Sequence, residues 1–391
     1  MSGHDTLVVG GGIGGLAAAL ALARAGRRTL LTEQAPQFAE IGAGLQLGPN
    51  AMRAFDRLGV LGPVLETAVL PARAMIRDAV TGDELTVLDL GHPFRARYGY
   101  PYVVAHRHDV LSVLLDACRA EPGIELRTGR TAASVRERDE HADVTFSDGE
   151  VLTTQLLVGA DGLRSQVRRL IDTSPPRFSG HVAYRGASDR SELGRGLAPD
   201  DVTLWIGPGI HLMQYPVRRG ELYNQVAVYE RPAGAREPRG YAEEFRAAFA
   251  IAHPSVREAV ALLDPHRDWP VYDRDPLPTW TTAHTALLGD AAHAMLQYLG
   301  QGACQALEDA VALGDAVSDH QHSQDRALKQ YEERRIARAS RCQTVARPWG
   351  NLWHTQDPTL LALRNRVFRL RQPDDYSDLD WLYTASSEDT A

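Results

Sequence analysis

Lysine, cysteine and long apolar runs are scarce in this chain of 391 residues. Lys329 is the one lysine, so arginine carries nearly all of the 42 basic charges, which 50 acidic residues outnumber to give a formal net charge of −8. Because no basic stripe stands out on this acidic background, we expect no nucleic-acid partner. The most apolar helical run, from Leu16 to Ala23, is far shorter than the roughly 20 residues that span a bilayer, so we expect no membrane segment.

Cysteine spacing excludes further classes of site. Cys118, Cys304 and Cys342 stand far apart and include no CxxC pair, so we predict neither a disulfide framework nor a cysteine metal site. The histidines complete no metal motif either. The N-terminus has neither the basic region nor the cleavage site of a signal peptide, and a reduced, cytoplasmic compartment is therefore expected.

The N-terminal segment predicts a βαβ unit that binds a dinucleotide. An apolar strand is followed at once by the run GGGIGG at 10–15, an alanine-rich helix and a second strand. Gly10, Gly12 and Gly15 satisfy the GxGxxG pattern, which allows a tight turn and a close approach to a pyrophosphate at the helix N-terminus. Glu33 lies where a carboxylate accepts hydrogen bonds from ribose hydroxyls. The pattern alone does not separate FAD from NAD.

Two later motifs separate them. The sequences GADG at 159–162 and GDAAH at 289–293 each follow a short apolar strand. The three motifs, in this order and at this spacing, resemble those of the class A FAD-dependent aromatic hydroxylases, a family of flavoprotein monooxygenases. This resemblance covers nearly the whole chain. It implies that Asp290 holds the ribityl chain of FAD, that Asp161 and Gly162 serve FAD and the pyridine nucleotide, and that Arg107 contacts FAD.

The residues themselves support this assignment. Asp290 follows a buried strand at its carboxyl end, where α/β sheets place their ligands. The glycine-rich turn Gly300-Gln301-Gly302 then begins a helix, whose free N–H groups would face the edge of the flavin ring that becomes anionic on reduction. Because the chain has one GxGxxG pattern, we expect NADH or NADPH to bind transiently, as a reductant.

Signals for a particular branch of the family are mixed. The loop 41–51 is similar to a loop of salicylate and hydroxybenzoate hydroxylases that passes near the flavin, where Gly42 and Gly44 would let the backbone approach the ring. Gln297, four residues after His293, resembles the 3-hydroxybenzoate 6-hydroxylase branch. The run Gly300-Gln301-Gly302 is closer to the salicylate hydroxylases. Both branches remain open at this point.

The strongest catalytic candidates lie on a predicted strand of the β-rich region. Alternation along HLMQYP places His211, Met213 and Tyr215 on one face. His211 and Tyr215 look like the pair carried by 3-hydroxybenzoate 6-hydroxylases and 6-hydroxynicotinate 3-monooxygenases. That resemblance implies that His211 is the base that removes the phenolic proton, for which a pKa near neutrality is expected. The predicted catalytic residues are His211, Tyr215 and Gln297; a sheet histidine beside a packing aromatic is the alternative.

The predicted fold is α/β, with a Rossmann-like FAD-binding domain interrupted by a β-rich substrate domain and followed by C-terminal helices. We assign 1–176 and 276–345 to the FAD-binding domain, 177–275 to the substrate domain, and 346–391 to a helical segment and tail. The tail is acidic and aromatic, and the sequence indicates no role for it.

The resemblance implies an FAD-dependent monooxygenase that uses NAD(P)H and O₂ to hydroxylate a phenolic aromatic acid through a flavin C4a-hydroperoxide. Para-hydroxylation of 3-hydroxybenzoate is the favoured reaction. A salicylate 1-monooxygenase or another phenol or hydroxypyridine hydroxylase is the alternative. An NAD-dependent dehydrogenase, or a protein that binds FAD without hydroxylating, represents a different class. The expected partners are a small phenolic substrate and O₂, and a homodimer is left open.

Overall fold

The computed structural model describes residues 4–38, 44–192, 200–231 and 240–384, and it confirms the predicted α/β fold. The strands in these ranges are β1 Thr6–Val9, β2 Thr29–Thr32, β3 Gly44–Leu47, β4 Arg73–Asp78, β5 Glu84–Asp89, β6 Val103–His106, β7 Ile124–Arg127, β8 Ala132–Glu137, β9 Ala142–Phe146, β10 Val151–Thr154, β11 Leu156–Gly159, β12 Arg177–Asp189, β13 Val202–Gly207, β14 Ile210–Val217, β15 Leu222–Glu230, β16 Asp268–Asp273 and β17 Thr285–Leu287. The helices are α1 Ile13–Arg24, α2 Pro49–Arg57, α3 Leu61–Thr67, α4 His92–Tyr98, α5 Arg107–Ala120, α6 Ala242–Ala248, α7 Pro254–Val260, α8 Asp290–His293, α9 Gly302–Asp319, α10 Gln324–His354, α11 Pro358–Leu370 and α12 Asp380–Tyr383.

A five-stranded parallel sheet, in the order β17-β11-β1-β2-β7, contains the glycine-rich turn. Strands β1, β2 and β11 are buried throughout, as expected for apolar parallel strands that helices cover on both faces. Helix α1 packs against β1, α5 and α9. Because β1, β11 and β17 are parallel neighbours, the turns that carry Gly10, Asp161 and Asp290 meet at one edge of the sheet.

A seven-stranded sheet, in the order β16-β12-β15-β14-β13-β4-β5, forms the β-rich part. Its strands pair antiparallel, except that β13 and β4 are parallel. Strands β12 to β15 confirm that this region is rich in β-strands, as predicted. Strands β4 and β5, from residues 73–89, were not predicted; in β4 the apolar residues form one run, Ala74 to Ile76, without period-two alternation. This order places β14 in the middle of the sheet.

Two helices differ from the prediction. The amphipathic pattern from Asn50 to Leu61 predicts one helix, and this prediction is wrong: α2 ends at Arg57 and α3 begins at Leu61, after a break at Gly59. Gly59 has φ of 60°, a left-handed conformation that a right-handed helix does not contain. Helix α10 continues through Pro348 to His354 and so crosses the segment boundary that was predicted after residue 345. Among the described residues, no helix combines the length and the apolar character that crossing a bilayer requires.

Candidate active site

A cavity of about 670 Å³ is lined by residues of the seven-stranded sheet and by residues that follow β1, β11 and β17. Its volume lies within the range of about 300–1,000 Å³ that is usual for ligand pockets. Gly12, Arg107, Gly162 and Asp290 line the end beside the parallel sheet, and His211 lies on the wall formed by the seven-stranded sheet. Segments far apart in the sequence, each singled out as a candidate, therefore meet in one cavity.

The glycine turn after β1 is packed too closely to hold side chains. Gly10 has φ of 111°, and a Cβ atom there would lie 2.3 Å from the carbonyl oxygen of Ala160. A Cβ atom on Gly15 would lie 1.9 Å from the carbonyl oxygen of Gly10. Gly12 is the N-cap of α1 and lines the cavity, so the unpaired N–H groups of the first helical turn are available to an anion such as a pyrophosphate.

Glu33 and Asp161 are bound to backbone close to them. Glu33 accepts a hydrogen bond from the N–H of Gly11 at 2.7 Å, which fixes the glycine turn to the end of β2. Asp161 accepts from the N–H of Gln166 at 2.7 Å and from the hydroxyl of Ser165. The carboxylate of Asp161 therefore orders its own loop, whereas the glycine after it lines the cavity.

The second acidic motif places a carboxylate in the cavity. Gly289 has φ of 61°, a conformation that favours glycine, and Asp290 begins α8 and lines the cavity. Arg107 begins α5 nearby; burial lowers the pKa of its guanidinium, and the charge of Asp290 partly offsets that effect. Gly302 begins the 18-residue helix α9 at the same end. An acceptor for ribityl hydroxyls, a cation and two helix N-termini suit the chemistry of FAD.

Asp309, on α9, holds this acidic turn from behind, although the sequence analysis did not identify it. Its Oδ2 accepts from the N–H of Gly289 at 3.0 Å and pairs with Nε2 of His293 at 2.6 Å, and its Oδ1 accepts from Arg335 at 2.7 Å. The side chains of Asp309, His293 and Arg335 are all buried. The turn that carries Asp290 is therefore fixed to α9 and α10.

Glu308, the neighbour of Asp309, joins three helices. It accepts from Arg335 at 2.5 Å, from Arg338 at 2.6 Å and from Asn50 at 2.5 Å. Burial alone would raise the pKa of the Glu308 carboxyl, but the two arginines outweigh burial and lower that pKa to about 2. Glu308 is therefore negatively charged at neutral pH, and it links α2, α9 and α10 behind the cofactor end of the cavity.

The predicted strand alternation places His211, Met213 and Tyr215 on the cavity wall. His211 is buried at 2% exposure and Tyr215 at 3%. Gln297 lies in a short 3-10 turn after α8, and its amide Nε2 is 3.5 Å from Nε2 of His211. Arg185, on β12, donates to Oε1 of Gln297 at 3.0 Å. The structure thus brings the three predicted catalytic residues together and adds Arg185 to them.

A second buried histidine fixes the tautomer of His211. Nδ1 of His354 is 2.9 Å from the carbonyl oxygen of Gly350, and a carbonyl only accepts, so Nδ1 carries the proton. Nε2 of the neutral His354 ring is then an acceptor, 2.7 Å from Nδ1 of His211. His211 therefore donates from Nδ1 and has a lone pair on Nε2. This lone pair is on the side of Gln297, toward the cavity.

The expected near-neutral pKa of His211 is wrong for the protein without substrate. Burial, assisted by the neighbouring ring of His181, lowers the pKa of His211 to about 3. Burial and the same two histidines also lower the pKa of His354. The pair is therefore neutral at physiological pH, as the hydrogen-bond directions require.

Gly44 approaches a side chain of the opposite wall. A Cβ atom on Gly44 would lie 2.4 Å from the ring of Tyr215, and the N–H of Gly44 donates to Oδ1 of Asn224 at 2.8 Å. Burial raises the pKa of Tyr215, so its hydroxyl stays protonated. Gly42, the other glycine predicted to approach the flavin, lies outside the described residues.

The C-terminal segment closes one end of the cavity. Residues of α12, including Tyr383, line the cavity, and a Cβ atom on Gly48 would lie 2.4 Å from the Tyr383 ring. Asp380 pairs with Arg97 of α4 at 2.5 Å, and Trp381 stacks under the Arg341 guanidinium at 4.2 Å. The acidic, aromatic tail is therefore part of the cavity wall.

Comparison with known proteins agrees with this arrangement. Residues 4–346 match the FAD binding domain family. The chain is 37% identical over 380 residues to 3-hydroxybenzoate 6-hydroxylase of Polaromonas naphthalenivorans, covering 96% of this chain and 95% of that protein. It is 35% identical over 354 residues to 6-hydroxynicotinate 3-monooxygenase of Bordetella bronchiseptica, covering 88% and 91% of the two chains.

The fold comparison points the same way. The crystal structure of Klebsiella pneumoniae HpxO complexed with FAD and uric acid superposes with a TM-score of 0.84 at 29% identity, covering 97% of this chain and 96% of that one. The family match removes the NAD-dependent dehydrogenase from consideration. The chain therefore belongs to the FAD-dependent aromatic hydroxylases, a family of flavoprotein monooxygenases.

Proposed function

We propose that this enzyme hydroxylates a phenolic aromatic acid para to its hydroxyl group, and that 3-hydroxybenzoate is its substrate. In this reaction NADH or NADPH is oxidised and O₂ is split. One oxygen atom becomes a hydroxyl group that replaces a ring hydrogen, and the other is released as water. Bound FAD supplies the redox and oxygen chemistry. The chain has to bind the acid, orient its ring, exclude water and accept the phenolic proton.

The observation that carries the proposal is the unprotonated Nε2 of His211 in the cavity wall. A ring carbon para to a phenolate is a better nucleophile than one para to a phenol, so a base beside the hydroxyl activates that position. Nε2 of His211 is unprotonated and faces the amide NH₂ of Gln297 at 3.5 Å. A bound phenol would give its proton to Nε2, and the Gln297 amide would then donate to the phenolic oxygen that becomes charged. A phenolate activates its ortho and para carbons alike, so we propose that the cavity turns the para carbon toward the flavin.

Arg185 supports an acid as substrate. It lines the cavity beside Gln297, and among the described residues no carboxylate forms an ion pair with it. Its Nε atom is buried and has no hydrogen-bond partner within the same ranges. Desolvation lowers the pKa of this guanidinium, and the charge of Arg107 lowers it further. A substrate carboxylate would satisfy both the charge and the free donor.

The name of the Polaromonas relative, 3-hydroxybenzoate 6-hydroxylase, describes this same position, since carbon 6 is para to the hydroxyl on carbon 3. The predicted domain boundaries, the cytoplasmic compartment and a homodimer remain proposals that accompany this function.

Substrate-stimulated oxidation of NADH and of NADPH, with identification of the product, tests the proposal. The panel is 3-hydroxybenzoate, salicylate, 4-hydroxybenzoate and 6-hydroxynicotinate. We expect 3-hydroxybenzoate to give 2,5-dihydroxybenzoate with nearly one product per reduced nucleotide. Conversion of salicylate to catechol, or coupled turnover of 6-hydroxynicotinate alone, would assign the enzyme to one of the alternative reactions.

A further inference from the structure

The cavity wall contains a buried hydrogen-bond chain that extends away from the substrate. It runs from Arg185 through Gln297 and His211 to His354, and it ends at the carbonyl oxygen of Gly350. Its inner half is the base described above. Its outer half lies on α10, beyond the segment boundary predicted after residue 345.

Both ends of the chain fix its direction. The guanidinium of Arg185 only donates, so Gln297 presents Oε1 to it and turns its NH₂ group to His211. The carbonyl of Gly350 only accepts, so His354 presents Nδ1–H to it and Nε2 to His211. With one proton on each neutral ring, each bond in the chain has one donor and one acceptor.

We propose that His354 is the positioning residue of the hydroxylation base, because it holds His211 in the tautomer that leaves Nε2 without a proton. This inference rests on the proposed function of His211. Without an acceptor at His354, the proton of His211 is free to sit on Nε2, where it blocks uptake of the phenolic proton. When the phenolic proton arrives at Nε2, the bond from Nδ1 to His354 strengthens, since a charged donor binds a neutral acceptor more tightly.

The surroundings keep His354 available as an acceptor. His181 packs on its ring with centroids 4.4 Å apart, and both nitrogens of His181 are without hydrogen-bond partners in the described ranges. Arg364, on α11, donates to the backbone of Trp353 at 2.8 Å and places a positive charge near His354. Tyr298 packs against the rings of both His211 and His354. Burial raises the pKa of the Tyr298 hydroxyl, so this hydroxyl stays protonated. Around the ring of His354, the facing groups are thus cationic or neutral.

Two substitutions of similar polarity separate the hydrogen bond from packing. In His354→Gln, the amide reaches the position of Nε2 and its oxygen accepts from His211. In His354→Asn, the amide reaches only the position of Nδ1, so contact with Gly350 is kept and contact with His211 is lost. We expect the Asn variant to lose about tenfold or more in product formed per NADH, with hydrogen peroxide in its place, and the Gln variant to recover most of that loss.

A chromophoric substrate analogue reports the same bond without turnover. The probe is 3-hydroxy-4-nitrobenzoate, whose phenolate absorbs visible light, titrated with pH while bound to the FAD-loaded enzyme. We expect its apparent pKa to rise by about one pH unit in the Asn variant, equivalent to about tenfold in proton affinity, and to stay near the wild-type value in the Gln variant. Equal values in both variants would overturn the proposal.

His181→Phe is the matched control, because it keeps an aromatic ring stacked on His354 but lies outside the hydrogen-bond chain. If His181→Phe loses as much product per NADH as His354→Asn does, packing explains the loss in both variants and the proposal is overturned. His211→Ala is measured in parallel. If His211→Ala stays coupled, the proposed base is wrong; if it uncouples while His354→Asn does not, the base stands and only the role of His354 is overturned.

Discussion

The guanidinium of Arg185 donates to Oε1 of Gln297 at 3.0 Å, and this contact decides which way the Gln297 amide faces His211. One arginine therefore has two tasks: it is placed to receive a substrate carboxylate, and it orients the group that meets the phenolic oxygen. These two recognition elements are adjacent in the cavity wall, so one substrate can contact both with its carboxylate and its hydroxyl.

Replacing Arg185 by methionine is expected to weaken binding of the acid more than binding of a neutral analogue. A lost hydrogen bond to a charged group costs about 1.5–3 kcal/mol, which corresponds to about a 10- to 150-fold higher KM for 3-hydroxybenzoate. The comparison is kcat/KM for 3-hydroxybenzoate against 3-hydroxybenzamide, with the exposed Arg136→Met variant as control. An equal loss for both compounds would argue against a carboxylate site at Arg185.

His211→Ala tests the base. The variant should still consume NADH when substrate is bound, because hydride transfer does not need a phenolate. Product formation should fall by about 10²–10⁴-fold, and hydrogen peroxide should account for the oxygen consumed. Raising the pH should partly restore coupling by ionising the phenol. Measured product per NADH that matches the wild type, or a block at flavin reduction instead, contradicts this role.

The low pKa of His211 has a consequence for the pH dependence of catalysis. The profile of kcat/KM reports ionisations of the free enzyme, and the His211 pKa is lowered to about 3. A base is active when unprotonated, so this group limits the rate only as the pH falls toward 3. We therefore expect no acidic limb from His211 between pH 5 and 8. A limb centred near 6.5 that disappears in His211→Gln would show that the free ring titrates normally.

Asp290→Ala is expected to yield protein deficient in FAD. The substitution removes the carboxylate that lines the cavity near Arg107, and with it the acceptor proposed for the ribityl hydroxyls. Flavin content after gel filtration and the Kd for added FAD measure the effect. Asp116→Ala, on the exposed face of α5, is the control and should retain its flavin. Full flavin content in both variants would place Asp290 outside the cofactor site.

Glu308 predicts a specific loss of stability in acid. Its pKa is lowered to about 2 from an ordinary 4.5, so its contribution is fully present above about pH 4.5 and is lost as the pH falls through 2. In Glu308→Gln, the free energy of unfolding should depend less steeply on pH across this window, whatever its absolute value. Urea unfolding between pH 3 and 6 measures the slope, and parallel curves for the two proteins would contradict the prediction.

Local sequence predicted the cofactor end of the site better than the substrate end. The glycine turn, the Asp161 loop and the Asp290 turn each lie within a few residues of a buried strand, so their position at a strand end is a local property, and the family resemblance linked the three motifs. His354 contacts His211 across 143 positions of sequence, and Arg185 contacts Gln297 across 112. Both contacts depend on how α10 and β12 pack, and no local pattern marks either residue. Pro348 also concealed the end of α10, because proline usually ends a helix.

The wall that α12 contributes has a consequence for biosynthesis. Gly12 and Tyr383 line the same cavity, although 371 positions separate them in the sequence. A nascent chain therefore lacks a complete binding chamber until Tyr383 has left the ribosome, even when both sheets have already formed. Before that point, the side of the cavity at Gly48, which packs against Tyr383 in the complete fold, is open to solvent. Completion of the cavity thus becomes a late event in biosynthesis, set by translation of α12.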